Sequence, residues 1–87
     1  MYKIKENITF ELIEKEAIIV DMNTGRFLNT NLTGYCILKA LESGDSVEKI
    51  SLELSEKFKL TYDSANKIIA DFLKLLTDNE IIVFYED

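Results

Sequence analysis

Few side chains in this sequence could take part in covalent or metal chemistry. The 87 residues include one cysteine, Cys36, and no histidine. A catalytic zinc site, a Cys–His nucleophile pair and an imidazole general base are therefore unavailable within this chain, and so is an internal disulfide. Cys36 has no base near it in sequence and falls beside the apolar face of a predicted helix. A small hydrophobic role is favoured over a reactive thiol.

The carboxylates add little catalytic potential. Glu11, Glu14 and Glu16 flank a predicted hairpin, where a solvated charged edge is favoured over paired-acid chemistry. An enzyme subunit with its own chemistry is therefore the least favoured class of function. No metal and no cofactor are expected.

Size and charge narrow the class further. A chain of 87 residues, 47% of them hydrophobic, is expected to fold as one domain over residues 1–87. The formal net charge of −6 argues against a nucleic-acid partner, because phosphate contacts need a basic face. No apolar run is long enough to span a membrane, and residues 1–7 lack the apolar core of a signal peptide. A cytoplasmic protein with no membrane partner is expected.

The first thirty residues predict three β-strands. Residues 8–13 alternate with period two, and residues 17–22 form a short β-branched run. A turn follows, in which Gly25 can adopt a positive φ, and residues 26–30 form the third strand. Connections this short favour an antiparallel meander.

After residue 30 the apolar period becomes helical. Asn31 or Thr33 can cap a first helix that runs to about Glu42. Gly34 shares the apolar face of this helix and permits the close approach of a neighbouring element.

Two more helices are predicted downstream. Asp45 and Glu48 have the spacing of a capping box before the second helix. Asp63 is expected to cap a third helix over residues 64–79, and residues 80–85 predict a short terminal strand.

The apolar residues of the third helix cover a wide arc. They are Ala65, Ile68, Ile69, Phe72, Leu73, Leu75 and Leu76. They spread over roughly 160°, whereas a helix that packs on one core needs about 100°. Either this helix is the most buried of the three, or it contacts the core on one side and borders a groove on the other.

These elements predict an α+β fold that is winged helix-turn-helix-like, with a three-stranded antiparallel sheet followed by three helices. Proteins with such folds often insert the third helix into the major groove of DNA. Here its two lysines are outnumbered by Asp63, Asp71 and Asp78, and an acidic helix is repelled by phosphate. A regulatory winged-helix module that binds protein, or less favourably DNA, is the alternative function.

Several segments, in this order, resemble the PqqD-like family. They are Gly25-Arg26-Phe27-Leu28, Asn31-Leu32-Thr33-Gly34, Ile37-Leu38 with Leu41, Ser46-Val47-Glu48-Lys49-Ile50 with Leu54 and Phe58, and Asp71-Phe72-Leu73 with Leu76. The Asn-x-Thr-Gly at a strand-to-helix junction is the most specific part. The likeness spans about residues 8–83. Thr30 stands where the family usually has leucine, and Leu38 where it often has tryptophan.

Members of this family are recognition elements for ribosomally made peptides, so the resemblance implies a function. The chain would bind the leader segment of a precursor peptide as a strand added to the third predicted strand, beside the third helix. It would deliver the core peptide to a separate maturation enzyme, of the radical SAM or cyclase/peptidase type. Residues 26–30 contain no proline or lysine, which commonly protect strand edges. The implied contact residues are Arg26, Phe27, Leu28, Asn29, Thr30, Ile68, Asp71, Phe72 and Leu75.

Each of these residues has a structural alternative. Phe27 should point away from Leu28, and either contacts the peptide or packs in the core. Arg26 could pair with an acidic leader residue or be solvated, and Asn29 could orient the ligand or mark the end of the strand. Asp71 could orient a ligand amide, although a bond to the backbone near the first helix is favoured. The apolar residues of the third helix line either a groove or the core. An open edge can also pair with a second copy, so a homodimer is a further expectation.

Overall fold

A computed structural model describes residues 1–86 of the chain. The elements are β1 (Tyr2–Ile4), β2 (Ile8–Ile13), β3 (Glu16–Asp21), β4 (Phe27–Asn31), α1 (Leu32–Glu42), α2 (Val47–Phe58), α3 (Tyr62–Asp78) and β5 (Ile82–Phe84). Strands β2, β3 and β4 form an antiparallel meander, and the three helices follow it. The predicted α+β class, with its sheet, three helices and short C-terminal strand, is confirmed.

Buried and exposed side chains alternate along the strands of the three-stranded sheet. On β3, Ala17 and Ile19 are almost completely buried, while Glu16, Ile18 and Val20, which alternate with them, are more exposed. The register places Ile19 opposite Leu28, so the inner face continues onto β4. Helix α1 packs on this inner face through Ile37 and Leu38. The opposite face of the sheet carries no helix in residues 1–86.

The junction of β4 and α1 depends on Asn31. Its side-chain oxygen accepts a hydrogen bond from the backbone N–H of Gly34 at 2.9 Å, so Asn31 caps α1 and Thr33 lies inside the helix. At the other end, Gly44 adopts a φ of 82° directly after the C-cap. The left-handed region is open to glycine without a Cβ penalty, which ends the helix there.

The caps of the other two helices differ from the sequence prediction. Ser46, not Asp45, caps α2 by accepting a hydrogen bond from the N–H of Lys49. Asp45 instead forms a salt bridge with the Lys49 ammonium. Thr61, not Asp63, caps α3, so that helix begins two residues earlier than expected. Hydroxyl and carboxylate side chains both make good N-caps, so spacing alone could not identify which of the neighbouring residues caps each helix.

The sequence did not predict β1. It pairs with β5, and Tyr2 lies opposite Phe84 with their ring centroids 5.2 Å apart. Three residues are too few to show a period, and the partner strand is about eighty positions away. This ribbon closes the core below α1 and α3.

None of the three helices in residues 1–86 has the length and apolar character that a membrane span needs.

The buried polar side chain of Ser51 on α2 joins two helices, because its hydroxyl donates a hydrogen bond to the side-chain oxygen of Asn66 on α3. The helical layer is therefore held by a polar contact as well as by apolar packing.

The last residue of β3, Asp21, has a carboxylate with a lowered pKa. The Asn7 side-chain amide donates to Asp21 at 2.8 Å and the Asn23 backbone N–H donates at 2.9 Å. Both bonds favour the charged form and lower the Asp21 pKa below its ordinary value of 3.8.

We expect this network to add pH-dependent stability. The contribution is present above the ordinary carboxyl pKa and is lost as the pH falls through the lower folded pKa. An NMR titration of the Asp21 carboxyl carbon should show a midpoint below that of a free aspartate. Thermal midpoints of Asp21→Asn should fall less steeply in acid than those of the parent chain. Parallel acid profiles for the two proteins would contradict the prediction.

Candidate functional site

Strand β4 has an open edge. Within residues 1–86 it pairs with β3 alone. The Asp21 N–H donates to the Arg26 carbonyl, and hydrogen-bonded pairs alternate along an antiparallel ladder. Leu28 therefore bonds to β3, while the main-chain groups of Phe27 and Asn29 point away from the sheet. Such groups are a template for an additional strand.

Helix α3 runs beside this edge, and a depression lies near each end of β4. The larger, which we call the α3 groove, has a volume of about 400 Å³ and is lined by Asn31, Thr33, Gly34, Ile37, Ile68, Asp71, Phe72 and Leu75. The smaller, of about 30 Å³, lies at the start of β4 and is lined by Ile8, Ile19, Asp21, Arg26, Phe27, Leu28, Asn79 and Ile81. The edge strand therefore has a concave surface at each end.

The wide apolar arc of α3 divides between two environments. Ala65, Ile69 and Leu76 are completely buried in the core. Ile68 and Leu75, in contrast, are 37% and 41% exposed and line the α3 groove. Phe72 is half-buried between the two. Of the two interpretations left open by the sequence, the one in which α3 borders both a core and a groove agrees with this geometry.

Two residues that line the α3 groove, Gly34 and Phe72, meet Thr30 of β4 beside it. A Cβ atom on Gly34 would collide with the Thr30 hydroxyl and would lie 3.0 Å from Cζ of Phe72. Glycine at this position therefore lets α1 approach both β4 and α3. Thr30 points inward from β4 and occupies the space that this glycine leaves.

The two faces of β4 are clearly separated. Leu28 and Thr30 are half-buried on the inner side, whereas Phe27 is 71% exposed and Asn29 is exposed. Phe27 is thus excluded from the core, which removes one of its two interpretations. The Asn29 side-chain amide donates to the Glu16 carboxylate at 2.8 Å, so this side chain is held across the sheet.

The charged candidates lie at the margins of the site. Arg26 is exposed and has no salt bridge among the described residues. The favoured structural role for Asp71 was wrong. Its carboxylate is exposed and pairs with Lys67 at 3.5 Å on its own helix, instead of bonding the backbone near α1. An (i, i+4) pair satisfies both side chains locally.

The surface of α3 does not favour DNA. Lys67 and Lys74 each pair with an aspartate one helical turn further on, at 3.5 and 2.9 Å. The positive charge that a recognition helix would need is therefore neutralised within the helix itself.

Sequence reasoning missed residues that α1 contributes to the α3 groove, namely Thr33, Gly34 and Ile37. The signal that could have found them was Gly34, whose place on an apolar helical face indicated close approach. It also missed a contact of Cys36, whose sulfur accepts a hydrogen bond from the Lys57 ammonium at 3.4 Å. That lysine is distant in sequence and lies across an opening between α1 and α2.

We expect a Gly34→Ala variant to fold less stably, by about 1.5 kcal/mol, because Thr30 and Phe72 must both move away from the new methyl group. Chemical denaturation measures the loss. Removing the obstructing hydroxyl and methyl in Gly34→Ala/Thr30→Ala should restore part of it. A double variant no more stable than Gly34→Ala alone would show that the Thr30 contact is not the cause.

Comparisons with known proteins agree with this geometry. The family model described as coenzyme PQQ synthesis protein D (PqqD) matches residues 16–82. No curated protein matches the sequence. A solved structure of TbiB1 in complex with the TbiA(beta) leader peptide is 24% identical, covers 98% of this chain and 99% of that chain, and has a TM-score of 0.86. A structure of lasso peptide synthetase B1 complexed with the leader peptide is 18% identical, covers 95% and 98%, and has a TM-score of 0.85. At these identities the likeness establishes a shared fold.

Proposed function

This chain belongs to the PqqD family, and we propose that it binds the leader segment of a ribosomally made precursor peptide along β4 and the α3 groove. The leader adds a strand to the open edge, and its core peptide is delivered to a separate modifying enzyme. The observation that carries the proposal is the unpaired edge of β4 beside a helix whose apolar arc leaves Ile68 and Leu75 exposed outside the core.

In strand addition, affinity for the peptide comes from main-chain hydrogen bonds and selectivity comes from its side chains. The outward main-chain groups of Phe27 and Asn29 are available to pair with an extended peptide, whatever its sequence. Alternate side chains of that peptide then face inward, toward Ile68, Phe72 and Leu75. Both similar structures named above contain a leader peptide, which supports this choice of ligand.

The remaining candidate residues are assigned to the margins of the peptide. Arg26, at the start of β4, is free to pair with an acidic leader residue. Thr30 packs against Gly34 behind the α3 groove, and its size is proposed to limit how closely α1 approaches β4. Asp71 lies at the mouth of the α3 groove, where its carboxylate can accept a hydrogen bond from a leader amide or guanidinium.

The chain itself is proposed to be non-catalytic and cytoplasmic. Its only cysteine contacts a lysine, and the sequence has no histidine to act as a base. The modifying chemistry is assigned to a radical SAM enzyme or to a cyclase/peptidase system. The products of the neighbouring genes decide which.

An NMR titration tests the proposal. The probe is a synthetic leader peptide from a short precursor, to be identified among the genes beside this chain's gene, with a scrambled peptide as the control. We expect amide shifts to concentrate in residues 25–31 and 66–76, with micromolar or tighter affinity, about −8 kcal/mol. Shifts scattered over α2, or none with the cognate leader, would overturn the proposal.

A further inference from the structure

The turn before β4 is held by hydrogen bonds to Asp21. All five residues of this turn, 22–26, are exposed, so packing against the core does not fix it. The Asp21 carbonyl accepts from the Gly25 N–H at 2.8 Å, and the Asp21 N–H donates to the Arg26 carbonyl at 2.9 Å. Its carboxylate oxygen Oδ1 also accepts from the Asn23 N–H at 2.9 Å. Asp21 therefore contacts the turn at three points, the last of them at the start of β4.

A chain of hydrogen bonds joins this turn to the end of α3. The same Oδ1 atom of Asp21 accepts a second bond, from the Asn7 side-chain amide at 2.8 Å. Asn7 lies in the loop between β1 and β2, where the Lys5 N–H donates to the Ile81 carbonyl at 3.0 Å. The Ile81 N–H bonds in turn to the Leu76 carbonyl on α3 at 2.9 Å. Asp21 is thus the point at which this chain reaches the turn before β4.

The two ends of the chain are the two walls of the proposed leader site, β4 and α3. At the start of the strand, Arg26 and Leu28 line the same small depression as Asn79 and Ile81, which follow α3. The main-chain groups of Phe27, between Arg26 and Leu28, are the first on β4 that point to the open edge. A shift of the turn would therefore change both the direction of these groups and the distance from the strand to the helix.

We propose that Asp21 is a positioning residue for leader binding. The inference rests on the proposed function, in which a leader pairs with β4. By accepting from Asn7 and Asn23 through one oxygen, Asp21 holds the turn so that the main-chain groups of Phe27 are aligned before the peptide arrives. An edge that is already ordered binds a peptide without the entropic cost of ordering it. The leader needs no contact with the Asp21 side chain itself.

Isothermal titration of three variants with the synthetic leader peptide tests this role. Asp21→Ala removes both carboxylate bonds and should weaken leader binding by at least roughly fivefold. Asn7→Ala removes one of them and should weaken binding by about threefold, and the double variant should bind no worse than Asp21→Ala alone. Asp21→Asn keeps an acceptor oxygen at the same place, so it should restore the affinity to within about twofold of the parent chain. The bond from the Met22 N–H to the Asn7 carbonyl survives every substitution and keeps the two loops joined.

Ser46→Ala is the matched control for a loss of stability. It removes the N-cap of α2, and Ser46 lies outside both depressions near β4. This variant should bind the leader like the parent chain. In the NMR titration, Asp21→Ala should lose the leader-induced shift of the Phe27 amide and keep that of the Asn29 amide. A variant that is only less stable keeps both shifts.

Hydrogen exchange without peptide tests the positioning of β4 separately from leader binding. The Leu28 N–H bonds to β3 and lies just after the turn. Its exchange should be at least roughly fivefold faster in Asp21→Ala than in Ser46→Ala, because local opening of the turn exposes it.

Three results would overturn the inference. They are equal leader affinity of Asp21→Ala and the parent chain, an Asp21→Asn affinity as low as that of Asp21→Ala, and equal exchange of the Leu28 amide in Asp21→Ala and Ser46→Ala. Failure of the leader to bind the parent chain would count against the proposed function instead. The exchange measurement would then still decide whether Asp21 positions β4.

Discussion

An Asn29→Pro variant is expected to lose about 3 kcal/mol of leader-binding free energy, roughly a hundredfold in affinity, while it remains folded. The N–H of residue 29 points to the open edge, so proline there removes no bond to β3. It does remove a donor to the incoming strand and places a ring in its path. Proline is tolerated on edge strands for the same reason. Isothermal titration with the cognate leader measures the loss.

Two further substitutions on β4 isolate the main-chain effect. Asn29→Ala removes the bond to Glu16 but keeps the N–H, so it should bind the leader nearly as well as the parent chain. Leu28→Pro removes a bond to β3 and should unfold the edge. If Asn29→Pro bound the leader as tightly as Asn29→Ala, strand addition at β4 would be excluded.

A Leu75→Asp variant should also abolish most leader binding, with a loss of about 3 kcal/mol or more. Leu75 lines the α3 groove and is already 41% exposed, so the free protein can solvate an aspartate there. A bound leader would remove water from that carboxylate without supplying a partner, and burial of an unpaired charge is costly. Fluorescence anisotropy with a labelled leader checks the result.

Leu52→Asp is the matched control for this experiment. It makes the same substitution on an exposed leucine of α2, which lies outside the α3 groove. Both variants should unfold at similar temperatures, because each places an aspartate one turn from two acidic residues, Asp71 and Asp78 on α3 or Glu48 and Glu56 on α2. Equal weakening of leader binding by both variants would mean that the charge acts from a distance and that the groove is not the contact.

The parts of this fold that sequence reasoning reached are those with a local period. The strands of the meander alternate over five or six residues, and the apolar arc of α3 extends over about three turns. Both patterns follow from which side chains face the core. The strand β1 could not be reached in this way, because its partner β5 is supplied by the opposite end of the chain.

In the candidate site, too, some residues could be predicted from the sequence and others could not. The groove residues of α3 were accessible from the sequence, since the arc was wider than one core requires, and the open edge of β4 was implied by the family resemblance. The contributions of α1 were not, because Thr33 and Ile37 enter the groove only through the angle at which α1 crosses β4. Asp71 was misassigned because two partners were available to it, and the nearer one, Lys67, is a turn away on the same helix.

The contact among Thr30, Gly34 and Phe72 bears on how the peptide selectivity of such a protein could change during evolution. Three elements of the chain meet at this point, so the volume beneath the edge strand is shared among three positions. Enlarging one of them demands a smaller residue at another. In related proteins of this fold, the residues at these three positions should therefore change together, and peptide selectivity should change with them. Main-chain pairing at the strand edge does not depend on these side chains and should stay the same.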